Sequence, residues 1–205
     1  MKKIKIEEKT YNVPENWKDI TLRSYETFSS IKIENRIGEI QLVSKVSSIP
    51  LNVLSNLPLS FYTEILNTIC FIFCSISYKP LSFVSDGEYD YYVNTKEELT
   101  LAQYVDIENV YSDENGENKL SEILAIVCLK KDEKYLPELL ETRKEMFENM
   151  PMDKVFPLLT FFLQFSENYN RITELLLIAQ ERIKRFQKDI KYFRKSGGGK
   201  KSSLN

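Results

Sequence analysis

The side chains best placed to act on a partner are concentrated near the C-terminal end of the sequence. From Arg182 to Lys201 there are nine cations (Arg182, Lys184, Arg185, Lys188, Lys191, Arg194, Lys195, Lys200, Lys201) against one acid, Asp189. That stretch is +8, so the formal charge of −2 leaves −10 on the remainder. Through it runs an apolar series, Ile172, Leu176, Ala179, Ile183, Phe186, Ile190 and Phe193, spaced alternately four and three. This is the heptad seam of a helix that meets another helix. Leu175, Leu177 and Ile178 broaden the apolar face only in its first half. Beyond Glu181 the pattern is a narrow stripe on a basic rod. Ile183, Phe186, Ile190 and Phe193 are therefore the expected partner-binding residues. Arg182, Lys184, Arg185, Lys188, Lys191, Arg194 and Lys195 form the expected basic patch. Three roles compete for those cations: solubilising a rod while complementing its helix dipole, docking on an acidic protein surface, and neutralising phosphates of a nucleic acid. Phe186 and Phe193 sit at seam spacing rather than as base-stacking platforms, which ranks nucleic acid last.

Catalytic chemistry is hard to assemble from the rest. The absence of histidine removes Ser-His-Asp and Cys-His nucleophiles, His-based metal sites and the commonest base near neutral pH. Three cysteines, Cys70, Cys74 and Cys128, are too few for a structural zinc site, and their bulky apolar neighbours predict buried free thiols. Acidic pairs such as Glu97-Glu98 and Asp113-Glu114 flank a helix cap and a turn and read as solvated. Gly197-Gly198-Gly199-Lys200-Lys201-Ser202 lacks the first glycine of a phosphate-binding loop, since position 194 is Arg, and lacks the Ser or Thr directly after Lys200. No catalytic, cofactor-binding or metal-ligating residue is assigned, and no cofactor is expected.

The elements that must position the seam come next. With 42% apolar residues in 205, the chain can bury a core. No apolar signal segment opens it, and Ile65–Tyr78, with Asn67, Thr68 and two serines, is too short to span a bilayer, so a soluble, cytoplasmic protein is expected. Ile4-Lys5-Ile6 and Thr10-Tyr11-Asn12-Val13 alternate around a polar turn, Glu7-Glu8-Lys9, and predict a hairpin closed by Pro14. Thr21 then caps a helix. Phe83-Val84-Ser85, Asp86-Gly87 and Glu88 to Val93 predict a second hairpin with a tight turn, after which Thr100 and Gln103 form a capping box. Asp19-Ile20-Thr21-Leu22-Arg23-Ser24-Tyr25 and Glu98-Leu99-Thr100-Leu101-Ala102-Gln103-Tyr104 match in pattern 79 residues apart, which suggests an internal duplication. Further helices are expected at Ile37–Val46, Leu59–Tyr78, Leu120–Lys130, Leu136–Asn149 and Leu158–Phe165, with Pro151 and Pro157 bounding a connector. The predicted fold is α+β and predominantly helical, with two hairpin-plus-helix units and a long C-terminal helix. Residues 1–170 form the globular part (halves 1–80 and 81–165), 171–195 the basic amphipathic helix, and 196–205 a Gly/Ser/Lys-rich flexible tail.

Two of these stretches carry a resemblance. Val13-Pro14-Glu15-Asn16-Trp17-Lys18-Asp19-Ile20-Thr21-Leu22 resembles the opening of small morphogenesis proteins of tailed phages. Glu98 to Ile107, followed by Ile123-Leu124-Ala125-Ile126-Val127, is similar to segments of phage tail assembly chaperones. The resemblance implies a helical, non-enzymatic chaperone in the host cytoplasm that coats the tape-measure protein or another aggregation-prone virion protein, or that self-associates. Its motifs name no client-binding residue. The alternatives are a structural virion component, such as a connector or tail-ring subunit, and a nucleic-acid-binding accessory protein using the basic helix.

Overall fold

A computed structural model of the chain describes residues 1–31, 33, 35–93, 99–113 and 118–164. In chain order the elements are β1 (Lys2–Ile6), β2 (Lys9–Val13), α1 (Leu22–Ser29), α2 (Arg36–Ser47), α3 (Leu51–Ser55), α4 (Leu59–Thr68), β3 (Phe83–Ser85), β4 (Asp90–Val93), α5 (Leu101–Ser112), α6 (Lys119–Val127), β5 (Cys128–Lys130), α7 (Leu140–Glu148) and α8 (Met152–Gln164). Short 3-10 turns occupy Trp17–Asp19, Cys70–Phe73 and Pro137–Leu139. The fold is α+β and mainly helical, as the sequence implies. The described residues fall into two compact units, 1–15 with 28–75 and 16–27 with 76–164.

In the first unit the hairpin forms where alternation requires it. Ile6 pairs with Lys9, so the turn is Glu7-Glu8 alone, with Glu7 at φ 52°. Ile4, Ile6 and Val13 turn inward, and α2 packs on β2, α3 and α4. Asn35 caps α2 by accepting from the backbone N–H groups of Ile37 and Gly38, both at 3.0 Å. Pro50 and Pro58 stand at the N-caps of α3 and α4, because proline has no N–H to lose at a helix start. Among the described residues of this unit one carboxylate is buried, that of Glu39. It accepts from the Tyr62 hydroxyl at 2.8 Å and from Arg36 Nη1 at 2.8 Å, which satisfies both of its oxygens.

In the second unit β4 is the centre of a three-stranded antiparallel sheet, β3-β4-β5. Tyr91 and Val93 face inward, while Tyr92 points outward and stacks on Phe83 with ring centroids 5.5 Å apart. The alternation of a strand thus separates the crowded tyrosines. Trp17, Tyr25 and Tyr78 gather around Phe156 of α8, the Trp17 and Phe156 rings lying 4.8 Å apart edge to face. Next to this cluster, Thr21 bridges Pro151: Leu22 N–H donates to Met150 O at 2.9 Å and Met152 N–H to Ile20 O at 2.8 Å.

Several expectations need correction. The turn between β3 and β4 spans four residues, because Ser85 pairs with Asp90 and the Asp86 carboxylate accepts from the N–H groups of Glu88 and Tyr89. Gly87 takes φ +107° there. The expected helix 59–78 stops at Thr68 and passes through the 3-10 turn at Cys70–Phe73 into irregular chain. Ile69 and Ile72, three apart, both take the buried side there, a spacing that suits the tighter turn. The apolar run after Leu120 is helical only to Val127, and Cys128–Lys130 becomes β5 because the edge of β4 offers it backbone partners. Pro157 lies inside α8 instead of bounding a connector. It removes the N–H that would bond Asp153 O. Of the thiols only Cys128 is buried, while Cys70 and Cys74 are exposed.

Candidate protein-binding surface

The partner-binding residues inferred from the seam (Ile183, Phe186, Ile190, Phe193) and the basic patch (Arg182, Lys184, Arg185, Lys188, Lys191, Arg194, Lys195) lie outside the described residues. The surface that stands out among the described residues belongs to α5.

Helix α5 starts from the predicted capping box. Thr100 Oγ1 accepts from Gln103 N–H at 3.3 Å, and Gln103 Oε1 accepts from Thr100 N–H at 3.1 Å. The same glutamine donates through Nε2 to Ile126 O in α6 at 2.9 Å and is buried. That bond fixes the rotation of α5. Gln103, Ile107 and Val110, at helical spacing, turn inward as α5 packs on α6. Leu101, Tyr104 and Val105 consequently share the opposite face, with exposures of 78%, 42% and 46%.

Further exposed aliphatic side chains lie in the segment that hydrogen-bonds α5 through Tyr135. Tyr135 is buried and donates its hydroxyl to Asp106 Oδ2 at 2.6 Å. Burial is the main force holding that phenol above its ordinary range, and the Asp106 bond adds to it. Val105 and Leu136, the chain neighbours of Asp106 and Tyr135, are both exposed. Leu139, one turn on, is also exposed, and Glu138 and Glu141 beside it carry negative charge. Lys134, directly before Tyr135, is exposed too, so exposed charges of both signs lie in this segment.

The polar groups buried near α6 have structural partners. Asn118, the N-cap of α6, adopts a left-handed conformation at φ 62° and makes no capping bond of its own. Its amide donates to Glu148 Oε1 at 3.0 Å, and Arg23 Nε donates to Glu148 Oε2 at 3.0 Å. Glu26, from α1, does the capping instead: its Oε1 accepts from Leu120 N–H at 2.6 Å. Burial pushes this carboxyl up to about 7, although the N–H groups of Leu120 and Ser121 pull the other way. Arg143 is buried and donates to Ala125 O and Glu133 Oε1, both at 2.9 Å. Among the described residues no group of three or more Cys, Asp or Glu side chains could hold a metal ion, and no helix is long and apolar enough to cross a membrane.

Sequence reasoning placed Leu101 at a helix start and Leu136 and Leu139 in an expected helix, and assigned none of them, nor Val105, to a partner-binding surface. A signal was present. Leu101, Ala102, Tyr104, Val105, Ile107, Val110 and Tyr111 place apolar residues all around α5, and a helix apolar on every side is normally covered on every side. Comparison with protein-family models, with curated proteins and with solved structures found no match for this chain.

Proposed function

We propose that this chain is a non-enzymatic assembly factor that binds a helical client protein, in the manner of the tail assembly chaperones its sequence resembles. The observation that carries the reading is the outward face of α5. Leu101 and Val105 are exposed on a helix whose other side is packed, and Leu136 and Leu139 are exposed in the segment that Tyr135 ties to the same helix. Exposed aliphatic surface rimmed by charge is how monomers present a site for another polypeptide. An amphipathic helix laid on such a face would read it with side chains three and four apart. The exposed charges of Lys134, Glu138 and Glu141 would set the register of a client helix carrying complementary charges. The seam at Ile183, Phe186, Ile190 and Phe193 belongs to the same proposal as a second contact.

The test is co-expression of the full chain with a long helical tail protein of a tailed phage, followed by co-purification and by mass spectrometry of purified virions. An assembly chaperone is retained with the client and missing from mature particles. A fixed copy number in virions would overturn this reading in favour of a structural component. An Ile183→Asp, Ile190→Asp double variant that captures client like the parent would remove the seam from the proposal.

A further inference from the structure

We propose that the β1–β2 hairpin is a ribbon that lies in the major groove of double-stranded DNA, with Lys3 and Lys5 on backbone phosphates and Thr10 and Asn12 toward the base edges. The register puts these four side chains on one face. Lys3 stands opposite Asn12, and Lys5 opposite Thr10. Because a strand alternates, all four point away from the side that buries Ile4, Ile6 and Val13, and all four are exposed. Among the described residues none of their side chains is held in a hydrogen bond or an ion pair. Lys2, on the other face of β1, is held: it bonds Glu64 at 2.8 Å. The outward face thus offers two cations, a hydroxyl and an amide, and no apolar side chain.

Charge and chemistry together name the partner. Lys2, Lys3, Lys5 and Lys9 against Glu7 and Glu8 give the hairpin a charge of +2, and both acids sit in the turn at one end of the ribbon. Lysines on phosphates gain affinity by releasing counterions. A protein partner would need an aliphatic or aromatic centre to its contact, which this face lacks. Asparagine pairs with N6 and N7 of adenine, and threonine bonds several base edges. Dimensions agree. Two strands about 5 Å apart fit a groove about 12 Å wide. Lys3 and Lys5, two residues apart, are separated by roughly 7 Å along the strand. That equals two steps of the roughly 3.4 Å rise between phosphates on one DNA strand. The deep, narrow major groove of duplex RNA does not admit a ribbon, so the duplex is DNA.

The experiment measures binding of the full chain to a fluorescent random-sequence DNA duplex by anisotropy, from about 50 to about 200 mM salt. The parent is expected to bind, with log affinity falling linearly against log salt. The Lys3→Gln, Lys5→Gln double variant, its fold checked by circular dichroism, is expected to bind at least about tenfold more weakly at the lowest salt. Its slope should be shallower by roughly 1.8, two phosphates at about 0.9 each. The proposal is overturned if the parent does not bind, or if the double variant binds as the parent does, which would leave the cations from Arg182 onward as the source of binding. It is also overturned if duplex RNA or single-stranded DNA binds as tightly as the DNA duplex, or if polyglutamate displaces the DNA at equal charge, which would make the partner an acidic protein surface.

Discussion

Helices α1 and α5 start from matched sequences, Thr21-Leu22-Arg23-Ser24-Tyr25-Glu26 and Thr100-Leu101-Ala102-Gln103-Tyr104-Val105, and they start the same way. In each, the threonine hydroxyl accepts the N–H three residues on at 3.3 Å. Their surroundings then invert. Leu22 is 0% exposed and Leu101 78%; Tyr25 is 4% exposed and Tyr104 42%. Even the position after the tyrosine is reversed, since Glu26 reaches the start of α6 while Val105 faces outward. The cap fixes where a helix begins. Its rotation is fixed by whichever side chain finds a partner across the core. In α1 the bridge to Pro151 and the ring of Phe156 cover the leucine and tyrosine side. In α5, Gln103 holds Ile126 O and takes the inward position that exposed Ser24 does not take. An outward face of leucine and valine, in a helix that had a packed alternative available in its own sequence pattern, is what a partner-binding surface requires.

The largest expected effect separates the two leucines. Leu22→Ala should cost roughly 2–5 kcal/mol of stability in urea denaturation, as buried leucines do, whereas Leu101→Ala should stay within about 0.5 kcal/mol. Equal losses would break the comparison.

Next comes the Glu26 carboxyl. Its usual value is near 4.5, and in the fold it is pushed up to about 7. As pH rises from about 4.5 through 7, the unfolded chain gives up a proton that the folded chain keeps, so stability falls, by roughly 3 kcal/mol at most. Glu26→Gln should flatten the pH profile of the urea midpoint across that window. The groups facing Glu26 include Glu148, whose charge adds to the upward push, while the N–H groups of Leu120 and Ser121 oppose it. A profile unchanged by the substitution would remove Glu26 as its source.

Gln103→Ala should cost about 2 kcal/mol, because it removes the reciprocal half of the capping box and leaves Ile126 O buried without its donor. Ser24→Ala, at the matched position, should cost no more than a few tenths. The smallest expected difference between the two helices tests the part that they share. Thr21→Ala and Thr100→Ala should each cost about 1 kcal/mol, and a large gap between them would mean that the caps are not equivalent.

How much of this was legible in the sequence follows from the range of the forces involved. The hairpins, both threonine caps and the capping box depend on residues within a few positions of each other, and all were readable. The Asp86-Gly87 turn was located correctly, but its length was set by the Asp86 side chain bonding two successive N–H groups. The strand at Cys128–Lys130 and the early end of the helix at Thr68 were not readable. Each depends on what stands across from it: the open edge of β4 in one case, and the inward demand of Ile69 and Ile72 in the other. The exposed face of α5 was hidden for the same reason. A run that is apolar on all sides does not say which side is covered, and the deciding contact, Gln103 to Ile126 O, spans 23 residues.

The most direct measurement is made on a Leu101→Asp, Val105→Asp double variant of the full chain, scored for both urea midpoint and capture of a co-expressed long helical tail protein. If α5 presents a client-binding face, the stability read from the urea midpoint stays within about 0.5 kcal/mol of the parent while client capture falls at least about tenfold, the loss of one well-buried contact or more. Capture at the parental level would contradict the account, and so would a collapse of the midpoint, which would show that this face is already packed.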